Sequence, residues 1–157
     1  MKKIFVLLVV VAMMSISAFA QKISADKVPE AVKSAFKAKF PTATKVNWGM
    51  ENTTEFEAEF KLDGEELSAN FDNTGKWLET ETEIKVTDLP YEIKTALAKD
   101  FDGYQIKEAS KIESAKEGTC YEAEIKKGGE TFDVLYTAKG KMLSKTKEEK
   151  EKDEKKD

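Results

Sequence analysis

Two stretches of the chain place apolar residues at three- and four-residue spacing, and alternating apolar and polar runs follow each. Val28, Val32, Ala35, Phe36 and Phe40 make the first stripe, and Leu89, Ile93, Ala96, Leu97 and Phe101 the second. This period predicts an amphipathic helix in each stretch. Pro29 and Pro90 stand at the starts, where a missing N–H is harmless. Asp26 and Asp88 are placed to cap them, and Pro41 and Gly103 to end them.

The runs after each helix have period two, which predicts strands. Val46, Trp48 and Met50 share one face, as do Phe56, Ala58, Phe60 and Leu62, and then Leu67, Ala69 and Phe71. Asp63-Gly64 and Gly128-Gly129 read as two-residue hairpin turns. A fourth strand is expected over residues 77–86, with a shorter equivalent over 141–144. The segments correspond in pairs. Val28-Pro29-Glu30-Ala31-Val32 is echoed by Leu89-Pro90-Tyr91-Glu92-Ile93, and Phe56-Glu57-Ala58-Glu59-Phe60 by Tyr121-Glu122-Ala123-Glu124-Ile125. The helices align at an offset of 61 and the strands at 65, so the second copy holds about four extra residues near 110–118. The expected fold is α+β: a tandem repeat of a helix followed by three to four antiparallel strands, with both helices packed on one face of a shared sheet. The first repeat spans residues 21–88 and the second 89–144, together one composite domain.

The two ends differ from this pattern. Lys2 and Lys3 precede an apolar run over residues 4–14, and Ala18-Phe19-Ala20 supplies small residues before Gln21. This is the layout of a secretory signal peptide over residues 1–20. The run is shorter than the roughly 20 residues of a spanning helix. Export to the periplasm or medium is the expected localisation, with no membrane insertion after cleavage. At the other end, twelve of the 13 residues of 145–157 are charged. A segment with no apolar face is expected to be a disordered tail.

Composition narrows the chemistry. All 26 basic residues are Lys, against 30 Asp and Glu, and Arg and His are both absent. There is no imidazole for nucleophile activation or metal ligation and no guanidinium fork for phosphate. The single Cys excludes an internal disulfide. Without Lys2 and Lys3 the charge is −6, and because the tail balances itself, that charge falls on residues 21–144. Nucleic acid is a poor partner for such a surface. No P-loop, G-x-S-x-G or H-E-x-x-H motif is present. No catalytic, cofactor-binding or metal-ligating residue is assigned, and the chain reads as a non-enzyme.

What remains is an acidic surface. Glu55, Glu57 and Glu59 point away from the Phe56 stripe. Glu66, Asn70 and Asp72 follow on the next strand, then Glu79, Glu81 and Glu83. Neighbouring strands lie about 4.8 Å apart, so these carboxylates share one face and raise one another's pKa. A solvated face that keeps an exported protein soluble is the simpler account of them. Trp77 and Leu78 are adjacent, so a regular strand puts one on each face. If Trp77 is on the wet one, it is an aromatic anchor among acids. The candidate partner-binding face is Glu57, Glu59, Trp77, Glu79, Glu81 and Glu83. Cys120 shares the outward parity of Glu122, and nearby glutamates raise the pKa of its thiol.

The paired motifs resemble the PepSY-like family of exported bacterial proteins. The resemblance is carried by Val28-Pro29 with Phe36 and Phe40, by Val46 and Trp48, and by Phe56-Glu57-Ala58-Glu59-Phe60. In the second copy it is carried by Leu89-Pro90, Tyr121-Glu122-Ala123-Glu124 and Gly140-Lys141. It implies a fold like that of the beta-lactamase-inhibitor protein and no established enzymatic activity; related PepSY domains are associated with restraining peptidases. The expected function is a non-enzymatic exported binding protein with a protein or peptide partner in the cell envelope, of which restraint of a peptidase is one form. The alternative is a small-ligand or cation-binding module on the acidic face.

Overall fold

The computed structural model describes residues 21–148. Residues 1–20, where a signal peptide is expected, and residues 149–157 of the expected tail lie outside the described residues. The elements run β1 (Gln21–Ile23), a 3-10 turn (Ala25–Lys27), α1 (Glu30–Lys39), β2 (Thr44–Met50), β3 (Glu55–Leu62), β4 (Glu65–Asp72) and β5 (Trp77–Ile84). A second 3-10 turn (Val86–Asp88), α2 (Tyr91–Asp100), β6 (Gln105–Ser114), β7 (Gly118–Lys127), β8 (Glu130–Thr137) and β9 (Met142–Lys147) complete them. The nine strands form one antiparallel sheet in chain order.

Register shows that both helices lie on one face. Directly opposed residues of antiparallel strands point the same way, and Ala58, Ala69 and Thr80 are opposed in succession. Ile84, of the same parity as Thr80, opposes Ala109, which opposes Ala123, which opposes Val134. The α1 stripe of Val32, Phe36 and Phe40 packs on Trp48, Ala58, Phe60 and Phe71. The α2 stripe of Ile93, Leu97 and Phe101 packs on Ala123, Ile125, Val134 and Tyr136. These are two separate apolar cores on one sheet. Phe36 meets Trp48, Phe60 and Phe71 edge-on at 5.3, 5.0 and 6.3 Å between ring centroids, a favoured aromatic geometry. In the second core Tyr136 replaces Phe71, and its hydroxyl donates to Asp100 Oδ2 at 3.4 Å.

Two local expectations are corrected, and a third is given its place in the fold. Asp26 and Asp88 do not cap the helices. They sit in the preceding 3-10 turns, and Pro29 and Pro90 are the N-cap residues, with no side-chain cap bond. The four extra residues expected near 110–118 lie in the β6–β7 hairpin and lengthen it: β6 and β7 have ten residues each, against seven and eight in β2 and β3. The last strand does not stop at Ser144, and the tail does not begin at Lys145. β9 runs to Lys147, because Lys145 and Lys147 lie over the Phe132 ring at 3.9 and 5.8 Å, giving charged residues an aromatic surface to cover.

Turns fix how closely each helix docks. Asp63 and Gly64 both have positive φ, 53° and 94°, as a type I′ hairpin requires. Gly75 (φ 87°) follows β4 and touches α1: a Cβ there would lie 2.5 Å from the Ala31 carbonyl oxygen. Gly140 makes the corresponding approach to the Glu92 carbonyl of α2, at 3.0 Å. Gly64→Ala, where a Cβ meets open space, should cost about 1 kcal/mol of backbone strain. Gly75→Ala should cost about 2–3 kcal/mol, because the helix backbone must also retreat. Urea denaturation of both variants checks this, and equal losses would show that the helix contact contributes nothing.

Candidate functional site

The face opposite the helices carries no secondary-structure cover among the described residues. Register assembles it in rows. Glu55 opposes Asp72; Glu57 opposes Asn70, which opposes Glu79; Glu59 opposes Ser68, which opposes Glu81. Glu83 opposes Ser110 on β6. The sheet thus brings Glu57, Glu59, Glu79, Glu81 and Glu83 together on one surface, as strand parity predicts. A shallow groove of about 480 Å³ crosses one end of it, lined by Lys45, Asn47, Glu59, Lys61, Ser68 and Glu81 among others. There Lys61 pairs with Glu66 at 2.6 Å.

Trp77 does not belong to this surface. A bulge between β4 and β5 makes Trp77 oppose Phe71 while Glu79 opposes Asn70. Leu78 takes up the extra position, and Trp77 falls on the helix side. It packs against the first core, its Nε1 donates to Thr80 Oγ1 at 2.9 Å, and Lys39 Nζ lies 3.8 Å from its ring centroid. The same slip recurs between β8 and β9, where Tyr136 opposes Met142 and Leu135 opposes Ser144. Strict alternation fails at Trp77 because of this one added residue.

The second half extends the acidic surface in a way the sequence reading missed. Glu108 opposes Glu124, which opposes Asp133, which opposes Thr146. Three carboxylates on adjacent strands therefore stand side by side, an arrangement that destabilises a sheet. Asp133 is only 9% exposed and has no hydrogen-bond or ion-pair partner among the described residues. Burial, then Glu148, Glu124, Glu81 and Glu108, push its pKa up to about 6. The signal in the sequence was its position: Asp133 stands 65 residues after Ser68, so an acid fills a site that holds a hydroxyl in the first half.

Burial is also the main cause raising Glu57 and Glu79, with Glu59 next for the first and Glu81 for the second. Glu51, in the β2–β3 turn, rises to about 7 through burial and then Glu57 and Glu55. Between Glu57 and Glu79, the buried Asn70 Oδ1 lacks a hydrogen-bond partner. Cys120 lies on this face opposite Ile112 but is 1% exposed, and burial followed by Glu117 raises its thiol pKa. A raised pKa and a covered sulfur make it a poor nucleophile. Among the described residues no three Cys, Asp or Glu side chains are grouped to hold a metal ion.

Two outcomes follow from this geometry. Trp77→Ala should lower stability by about 2–4 kcal/mol, as for a large side chain removed from a core, when measured by denaturant titration; an unchanged midpoint would return Trp77 to the surface. The second outcome concerns pH. A carboxyl whose pKa is raised on folding binds its proton more tightly in the folded state, so stability falls as pH rises between its unfolded and folded values. For Asp133 and Glu51 that window runs from near 4 to about 7. Carboxyls held low, such as Glu66 by its bond from Lys61 and Glu130 by its bond from Lys147, lose their contribution only as pH drops below the ordinary value of 4.5. Thermal stability should therefore decline from pH 5 to pH 8. Asp133→Asn should flatten that decline and stabilise the protein at pH 8 by roughly 1–3 kcal/mol; a wild-type profile that rises with pH would contradict the assignment.

Comparison with known proteins places this architecture. The model of the PepSY-like family, described as beta-lactamase-inhibitor-like, matches residues 14–68 and 54–144. A crystal structure of a beta-lactamase-inhibitor-protein-like protein from Bacteroides fragilis is 25% identical, covers 80% of this chain and 90% of its own, and superposes with a TM-score of 0.66. A DUF2874 family protein from Bacteroides uniformis (20% identical, 76% of this chain and 88% of its own, TM-score 0.68) has the same fold. So does a candidate periplasmic protein from Bacteroides eggerthii (19%, 76% and 88%, TM-score 0.67). No curated protein matches the sequence. No helix among the described residues is long and apolar enough to cross a membrane. The family is not an enzyme family, and its paired matches span both helices and run from β1 into the start of β9. The chain belongs to the PepSY-like, beta-lactamase-inhibitor-like family.

Proposed function

We propose that this protein is an exported, non-enzymatic binding protein that engages a protein or peptide partner through the open face of its sheet. The observation that carries the reading is the uncovered sheet face, where Glu57 and Glu79 flank Asn70 on β4 and Asp133 stands beside Glu124 on β7, with Glu57, Glu79 and Asp133 each held above its ordinary pKa mainly by burial. Such groups weaken the fold in isolation and gain when a partner neutralises them. Family membership supports a binding role. Cleavage after Ala20 would leave Gln21 at the start of β1 and the mature protein in the periplasm or medium. The two helix-and-four-strand halves are read as copies of one ancestral unit, with the acidic face as their shared product. Restraint of an envelope peptidase is one form this binding takes.

The test is retention of envelope proteins from extract on immobilised mature protein. Reversing Glu57 and Glu81 together to Lys should reduce capture at least tenfold, whereas Tyr91→Ala, at an exposed site on α2, should leave it intact. Captured peptidase should turn over more slowly in the complex. Capture insensitive to the double reversal, or abolished by Tyr91→Ala, would move the binding surface elsewhere.

A further inference from the structure

We infer that export completes an ion pair in this fold: once the chain is cut after Ala20, the new α-ammonium of Gln21 sits against the Glu51 carboxylate at the edge of the sheet. This rests on the reading that cleavage follows Ala20. It goes beyond the open-face reading and does not depend on it.

The placement comes from the backbone. Hydrogen bonding alternates along an antiparallel strand, so successive residues direct their N–H and C=O groups to opposite neighbours. The Glu51 N–H donates to the Glu55 carbonyl at 3.0 Å, toward β3. The N–H and C=O of Met50, one residue earlier, are therefore turned toward β1, where Met50 opposes Gln21. The Gln21 nitrogen thus faces the Met50 carbonyl. Glu51 lies one strand rise, about 3.4 Å, further along. In the uncut chain that nitrogen belongs to the peptide bond from Ala20 and is neutral. Hydrolysis of the bond leaves a carboxylate on Ala20 and an amine on Gln21, which takes up a proton at neutral pH. A positive charge then lies within reach of the Glu51 side chain.

Glu51 is suited to receive it. The groups acting on it most strongly after burial are Glu57 and Glu55 on β3 and Glu79 and Glu81 on β5, all negative, and its pKa rises to about 7. The lysine of β1, Lys22, opposes Gly49, two positions short of Glu51. A half-buried carboxylate in such company gains from a cation placed beside it.

The two halves differ accordingly. At an offset of 61, Gln21 opposite Met50 matches Thr82 opposite Lys111, and Glu51 matches Ile112. In the second half the strand runs on through Glu81, which opposes Ile112, and this apolar residue is 4% exposed. In the first half β1 starts at Gln21. The acid stands at this position only where a chain start would supply an amine.

Mature protein beginning at Gln21, freshly released from a cleavable fusion, is compared with the same chain extended by Ala18-Phe19-Ala20. Each is made with Glu51 and with Glu51→Gln. The Gln21 amine, followed by NMR after reductive ¹³C-methylation, should titrate at least about half a unit higher with Glu51 than with Glu51→Gln. At pH 7 the chain starting at Gln21 should melt about 2–4 °C above the extended one. Glu51→Gln should abolish that difference, and Glu83→Gln, elsewhere on the open face, should leave it intact. The pair raises the ammonium's pKa, so the advantage should fade above about pH 9 as the proton leaves, and below about pH 4 as Glu51 gains one. A difference that survives Glu51→Gln, or that Glu83→Gln removes, would overturn the pair. So would exported protein whose Gln21 amine is blocked. N-terminal sequencing of the exported protein separates the two readings. A first residue other than Gln21 sinks both, whereas Gln21 without coupling to Glu51 sinks the ion pair alone.

Discussion

A nine-stranded sheet has two faces, and two ten-residue helices can cover only one of them. That constraint organises the molecule. Parity along each strand sends most alanines and aromatics to the covered side and most glutamates to the other, and the register between strands carries this division from β2 to β8, with exceptions such as Glu113 on the helix side and Cys120 on the open one. Burying the aromatic stripe supplies most of the driving force for folding. The uncovered side is its obligatory counterpart, so the acidic surface and the apolar cores are two consequences of one alternation.

The covered face is itself divided. Each helix has its own core, and the strands between them present Thr82, Lys111 and Glu113 on the helix side, with a Lys111–Glu113 ion pair of 2.7 Å. The halves are joined chiefly through the β5–β6 ladder. Mechanical continuity therefore comes from backbone hydrogen bonds, while side-chain packing is local to each half. The open face crosses that seam without interruption, which lets acids from both halves act on one surface, as Glu81 does on Asp133.

Much of this was legible in the sequence, for identifiable reasons. Helices and strands were readable because the apolar spacings are strong and the turn residues, such as Asp63-Gly64, are specific for their geometry. The acidic rows were readable because parity alone decides face. What escaped were departures from parity and effects that need neighbours. Trp77 was misplaced by a bulge, which adds one residue without changing composition. Asp133 was overlooked because its distinction lies in burial and in the carboxylates beside it, neither of which its own strand reveals. The caps failed as well: a short 3-10 turn displaced both aspartates from the helix starts.

Chain-order topology has a further consequence, for folding speed. Every strand pairs with its neighbour in sequence, so most ladders close through short turns such as Asp63-Gly64. The longest closures are those that span a helix, from Ile23 to Trp48 and from Ile84 to Ala109. Loop-closure entropy grows only slowly with length, and rates fall as contacts become more distant in sequence. A meander with two modest crossings therefore assembles faster than sandwiches of similar strand number, and either half supplies a nucleus on which the other can zip. A chain built this way reaches its sheet with little time spent exposing unpaired edges.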